Sequence, residues 1–186
     1  MSYSIVPKYL TLTAALLVSC AGTFSAYAQD NASSLLPGGA SSLSETHGDW
    51  AVQCRLQAAN DVKTKPHCSV SQQQQDNKGS RVLAVELQPT ADGTSGALVL
   101  PFGLQLSKGV ALQIDEAKPG ASQQFSTCLP AGCIVPLNFG DAQLKALNAG
   151  KTLNLIAEAV NGGEVKLSIS LDGFSAALIR VKELLK

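Results

Sequence analysis

The residues in this chain able to do chemistry are few and scattered. The five cysteines are Cys20, Cys54, Cys68, Cys128 and Cys133, and the two histidines are His47 and His67. A cycling thiol pair wants two intervening residues at a helix start, where the thiolate is stabilised. Four residues separate Cys128 from Cys133, with Pro130 and Gly132 among them, so redox catalysis is the weaker reading of that pair. Zinc held by Cys54, His67, Cys68 and a second pair fails too, because the close ligand spacing of structural sites is met only once. A serine hydrolase of the usual kind carries its nucleophile in a G-x-S-x-G elbow, and the chain has none. Asp115 and Glu116 fall where a strand meets a turn and read as solvated, while His47 and His67 read as exposed or packed side chains. No catalytic residue, metal or other cofactor is expected.

The elements around the thiols are easier to read. Phe125-Ser126-Thr127-Cys128 and Cys133-Ile134-Val135-Pro136-Leu137 are apolar, strand-like flanks, joined by Leu129-Pro130-Ala131-Gly132. Pro130 presets a turn and Gly132 can take a positive φ, so the stretch reads as a hairpin that a disulfide could staple. Setting Cys20 aside leaves an even four cysteines, which allow three connectivities. Local pairing, Cys54 with Cys68 and Cys128 with Cys133, is expected because each pair is bracketed by segments able to lie side by side. In the chain-entropy model these loops contribute about 3 and about 2 kcal/mol.

Residues 1–28 are set apart from the fold. Lys8 precedes a mostly apolar run too short to span a bilayer, and Ala26-Tyr27-Ala28 has the small-x-small form of a signal-peptidase site. Cleavage there gives a mature chain starting at Gln29 and a periplasmic or secreted protein. An overlapping Leu17-Val18-Ser19-Cys20 resembles a lipobox, so lipidation at Cys20 is the alternative, and only then would the chain meet a membrane. Residues 29–44, rich in Ser, Gly and Pro, read as a flexible tether.

Lysine plus arginine equal aspartate plus glutamate at 14 each. No single-sign field exists to attract nucleic acid or an anionic bilayer. One domain is expected over residues 45–186. Trp50, Val52 and Cys54 fall on one face at period two, with Trp50 a core anchor. Residues 60–66 read as a polar loop, and Gln72, Gln73, Gln74 and Gln75 as the wet end of a strand running into a turn. Leu83, Val85 and Leu87 point inward, and short strands are expected near residues 97–100, 104–106 and 110–115. Asp141 can cap a short helix with Leu144, Leu147 and Ala146 facing inward. A hairpin turns at Asn161-Gly162-Gly163. Ser175 is read as the cap of a terminal helix, with Ala177, Leu178, Val181, Leu184 and Leu185 at helical spacing and Phe174 packing on Ile179. The sum is an all-β, single antiparallel β-sandwich domain with a short helix after the stapled hairpin and a short C-terminal helix.

Gly48-Asp49-Trp50 with Cys54, Cys68 before a Gln run, Pro101-Phe102-Gly103-Leu104, Gly109-Val110, Phe125-x-x-Cys128 to Cys133, and Ser170-Leu171-x-Gly173-Phe174 form an ordered set. Taken together it resembles the invasion-associated locus B family of exported bacterial proteins, over roughly residues 45–177. The family is named for members linked to host-cell entry. The resemblance implies an exported, disulfide-stapled β-sandwich with an envelope or surface role, and it carries no catalytic residues across. A non-catalytic protein that binds an envelope or host-surface protein or polymer is therefore expected, the alternative being a periplasmic enzyme or thiol-redox protein. The expected contact loops are Gln72 to Gly79 and the rim at Leu129, Pro130 and Ala131.

Overall fold

Period-two alternation becomes strand after strand in the computed structural model, which describes residues 36–57 and 65–186. The strands are β1 (Ser42–His47), β2 (Trp50–Gln57), β3 (Lys65–Gln75), β4 (Arg81–Thr90), β5 (Gly93–Leu100), β6 (Ala111–Ile114), β7 (Thr127–Leu129), β8 (Gly132–Gly140), β9 (Thr152–Glu158) and β10 (Glu164–Ser170). Among the described residues two α-helices accompany the strands, α1 (Asp141–Ala149) and α2 (Phe174–Leu184). A seven-stranded sheet runs in the order β1-β2-β3-β4-β5-β8-β7, and a three-stranded sheet in the order β10-β9-β6. Every named pairing is antiparallel. The two sheets form a β-sandwich, as the strand spacing led us to expect.

The core follows from that alternation. Trp50, Val52 and Cys54 of β2, Leu83, Val85 and Leu87 of β4, and Val135, Leu137 and Phe139 of β8 are all buried. Helix α2 lies on β1 to β4 and buries Phe174, Ala177, Leu178, Val181 and Leu184, one apolar stripe at helical spacing. No helix among the described residues is long and apolar enough to cross a membrane.

Several boundaries differ from expectation, each for a local reason. Strand β1 starts at Ser42, and Leu36 is buried at 2% exposure, so the folded chain begins ahead of the tether boundary drawn at Ser44. β1 has one apolar residue, Leu43, and carries Glu45 and His47 at its other half-buried positions, so it reads as loop until it is seen paired to β2. The cap of α1 is Gly140, whose N–H donates to Gln143 Oε1 at 2.9 Å, with Asp141 one residue inside the helix. Ala146 is exposed, whereas Leu144 and Leu147 are buried as expected. The 104–106 segment makes only a single bridge, Leu104 with Ala159, before a 3-10 turn at Leu106–Lys108. Helix α2 starts at Phe174 with Gly173 in the left-handed region before it, so Ser175 lies inside the helix. Ile179 and Leu185 are exposed, at 57% and 39%, and Phe174 packs on Trp50 instead. Lys65 and Pro66 of the expected polar loop belong to β3. The rest of that loop lies outside the described residues, as do the signal segment, Cys20 and the tether up to residue 35.

Candidate functional site

The two short motifs at opposite ends of the chain meet in space. Asp49 N–H donates to the Asp172 carbonyl at 3.1 Å, and the rings of Trp50 and Phe174 stand 4.9 Å apart at 55°. Gly48 and Gly173 both take positive φ, +54° and +80°, and a Cβ on Gly173 would land on the His47 carbonyl. These residues clamp the start of β2 to the start of α2, so their role is architectural.

The glutamine run does not form a wet strand end. Gln72 is buried, and its amide pairs with the backbone of Ser170 on β10: Nε2 donates to the carbonyl at 3.0 Å and Oε1 accepts the N–H at 3.1 Å. Trp50 Nε1 donates to the same carbonyl at 2.8 Å, and Gln74 Nε2 donates to Ser168 O. Side chains of the large sheet thus satisfy the free edge of the small one. Gln73 and Gln75 are exposed. Of the expected Gln loop, only these and the turn beyond, where Asp76 Oδ1 accepts from the N–H groups of Lys78 and Ser80, remain open to a partner.

Both disulfides are local. Cys54 and Cys68 sit directly opposite one another on β2 and β3, and Cys128 and Cys133 on β7 and β8. Cys54, Cys68 and Cys133 are buried, and Cys128 is exposed at the sheet edge. The hairpin tip Leu129, Pro130 and Ala131 is exposed, and Arg81 Nη2 donates to the Ala131 carbonyl at 3.1 Å.

That tip belongs to a larger apolar rim. Leu100 pairs with Cys133, so the chain leaves β5 beside the tip, and Val160 N–H donates to the Gly103 carbonyl at 2.9 Å. Phe102, Leu106, Leu129 and Val160, exposed at 62%, 43%, 50% and 65%, therefore all lie toward one end of the sandwich. They are four of the six large apolar side chains exposed among the described residues, the others being Ile179 and Leu185. Phe102 was legible in principle, since a bulky ring between Pro101 and Gly103 has no strand to bury it. Val160 beside it was not, because only the tertiary fold joins the two loops.

Titratable groups meet where β1 faces α2. Glu45 takes both hydrogen bonds of the Arg180 guanidinium at 2.8 Å, and His47 Nε2 lies 3.4 Å from the same carboxylate. The Arg180 hydrogen bonds hold Glu45 below its ordinary value, against a smaller opposing effect of burial, and His47 adds to the lowering. His67 shares a hydrogen bond with Gln88 at 2.9 Å on the solvent face. Asp115 is not merely solvated: Oδ1 accepts from Lys151 N at 3.0 Å and Thr152 N at 2.9 Å, tying the end of β6 to the start of β9. Among the described residues no three His, Cys, Asp or Glu side chains group as metal ligands. A concavity of about 580 Å³ lies on the outer face of the large sheet. There Ala51 stands opposite Ser71, Ser71 opposite Glu86, and Glu86 opposite Ala97. Small side chains line much of it, and among the described residues its charged lining groups are Asp49, Arg81 and Glu86.

The fold and its surface define a class: a disulfide-stapled antiparallel sandwich whose sequence motifs serve its frame and whose exposed large apolar side chains lie mostly at one end. The model of the Invasion associated locus B (IalB) protein family matches residues 50–182, and the chain belongs to that family. It is 42% identical over 173 residues to an invasion protein B homolog of Brucella abortus, covering 91% of this chain and 96% of the relative. It is 38% identical over 155 residues to invasion protein B of Bartonella bacilliformis, covering 81% of each. The crystal structure of invasion associated protein B from Bartonella henselae superposes with a TM-score of 0.69 at 38% identity, covering 76% of this chain and 96% of that one.

Proposed function

We propose that this protein is an exported component of the bacterial envelope that acts by binding a macromolecular partner, on the host-cell surface or in the envelope, and not by catalysis. The observation that carries the reading is the apolar rim of Phe102, Leu106, Leu129 and Val160. Large apolar side chains held in water are costly, and grouped ones mark contact surfaces. The Cys128–Cys133 staple and the backbone bond between Val160 and Gly103 fix the loops that carry them, which lowers the ordering cost of docking. Two disulfides fit a chain that matures outside the reducing cytosol. Relatives named for invasion give the reading its biological direction, host-cell entry.

The test is complementation of a deletion strain with the double variant Phe102→Ser, Val160→Ser and, separately, with Leu129→Ser. Fractionation and intact mass of the exported protein follow in the same strains. Removing exposed apolar side chains should leave folding and export intact and abolish cell association. A mass beginning at Gln29 supports a free periplasmic or secreted chain, whereas a lipidated Cys20 places it on a membrane. Full activity of all rim variants, or turnover of a substrate by the purified protein, would overturn the binding reading.

A further inference from the structure

A second apolar feature lies at the far end of the strands from the rim. Between α1, the ends of β6 and β8, and the start of β9 is a crevice of about 250 Å³, walled by Leu112, Ile114, Leu137, Phe139, Leu147 and Leu153. Its outer wall is the segment 120–123, pinned to β6 and the residue before it by backbone hydrogen bonds. Gly120 N–H donates to Leu112 O at 2.9 Å, and Gln123 and Val110 exchange a pair at 2.8 and 2.9 Å. The polar groups at the mouth are the uncharged amides of Gln123, Asn138 and Gln143, and no titratable side chain lines the crevice. Leu112 and Ile114 are only half-buried, although their neighbours Leu137, Leu147 and Leu153 are buried outright. Leu112, Ile114 and Gly120 also line an open trough, together with Asp115, Glu116, Ala117 and Lys118 and with Ala146 and Ala149 of α1. Crevice and trough are therefore continuous, apolar in the crevice and bordered by charged side chains in the trough.

We propose that this path binds a linear acyl chain. The crevice walls offer nothing to a charged ligand's core, since burying a charge there without a partner is costly. Its volume exceeds the roughly 150 Å³ of an apolar cavity that holds benzene. The crevice continues past Leu112 and Ile114 into the trough, a shape that suits a chain better than a compact ring. Amides at the mouth can hydrogen-bond a head group without imposing its charge, and a polar rim on an apolar pocket is the usual form of a small-molecule site.

The test is methyl NMR on the oxidised exported protein, titrated with octanol, octanoate and toluene. Octanol and octanoate should shift the Leu112, Ile114, Leu147 and Leu153 methyl signals saturably, and toluene more weakly than either. Ala121→Phe, at an exposed position on the crevice wall, should weaken both by roughly tenfold or more, while Phe102→Ser at the opposite end should bind as the unaltered protein does. A lysophospholipid that reproduces the shifts identifies a lipid as the source of the chain, and one that fails while octanoate binds identifies a free fatty acid. Shifts that never saturate, toluene binding as tightly as octanol, or an Ala121→Phe protein that binds unchanged would each overturn the proposal. None of these outcomes bears on the rim, which is read separately by cell association.

Discussion

Gln72 pairs with the backbone of Ser170 as a neighbouring strand would, donating to its carbonyl at 3.0 Å and accepting from its N–H at 3.1 Å. One side chain thereby supplies the partner that the edge of β10 lacks, and it joins the two sheets where no main-chain ladder can. Gln72→Leu should keep the volume and strand Ser170 N–H without a partner, while Trp50 still serves the carbonyl. The expected loss is about 2 kcal/mol by urea unfolding, the cost of an unsatisfied buried group. An unchanged midpoint would show that water replaces the amide at no cost.

The two glycines Gly173 and Gly162 share φ of +80°, but a Cβ meets the His47 carbonyl at the first and open space at the second. Gly162→Ala should cost about 1 kcal/mol, the penalty of a left-handed residue. Gly173→Ala should cost at least about twice that, because the clamp between β2 and α2 must also open. Thermal unfolding of the two variants side by side separates backbone strain from close approach. Equal losses would rule out the clamp.

The disulfides should differ in worth. Cys54→Ala with Cys68→Ala removes the longer loop closure and should cost about 3 kcal/mol. Cys128→Ser with Cys133→Ser removes the shorter and should cost about 2 kcal/mol. Cell association should fall only with folding in the second pair if the bond is a staple. Loss of function in molecules shown by circular dichroism to be native would instead point to thiol chemistry.

Glu45 ties β1 to α2 through Arg180, and its folded-state pKa is depressed by that partner. A depressed carboxylate contributes stability that is fully present above its unfolded value and is lost as pH falls through the lowered folded value. Glu45→Gln should therefore be less stable than the unaltered protein at neutral pH, and the gap should close only as pH drops below the ordinary 4.5. Screening by solvent keeps the effect small, and added salt should shrink it further. A gap independent of pH would assign the loss to packing.

Alternation alone was enough to place most strands, because a sheet with one dry face forces period two on its sequence. Trp50, Val52 and Cys54, the β9–β10 hairpin and the apolar stripe of α2 were legible for that reason. β1 was not, since its inward positions include the polar Glu45 and His47, and only pairing with β2 reveals the strand. Caps were misplaced where a glycine took the role expected of Asp141 or Ser175. Gly140 and Gly173 reach those positions through backbone geometry that the stop signals of neighbouring residues do not specify.

From the sequence by itself came the class of the fold, the family resemblance, the pairing of near cysteines and the absence of a familiar catalytic motif, all properties carried by short stretches of chain. Tertiary structure decided what no stretch contains. It turned Gln72 and Gln74 from solvated loop residues into the lock on β10, brought the Gly48-Asp49-Trp50 and Asp172-Gly173-Phe174 segments into one clamp, and set Val160 beside Phe102. The physical reason is the same in each case. Local signals report which face of an element is dry, whereas the identity of the surface that covers it, or leaves it bare, depends on residues far away in the chain.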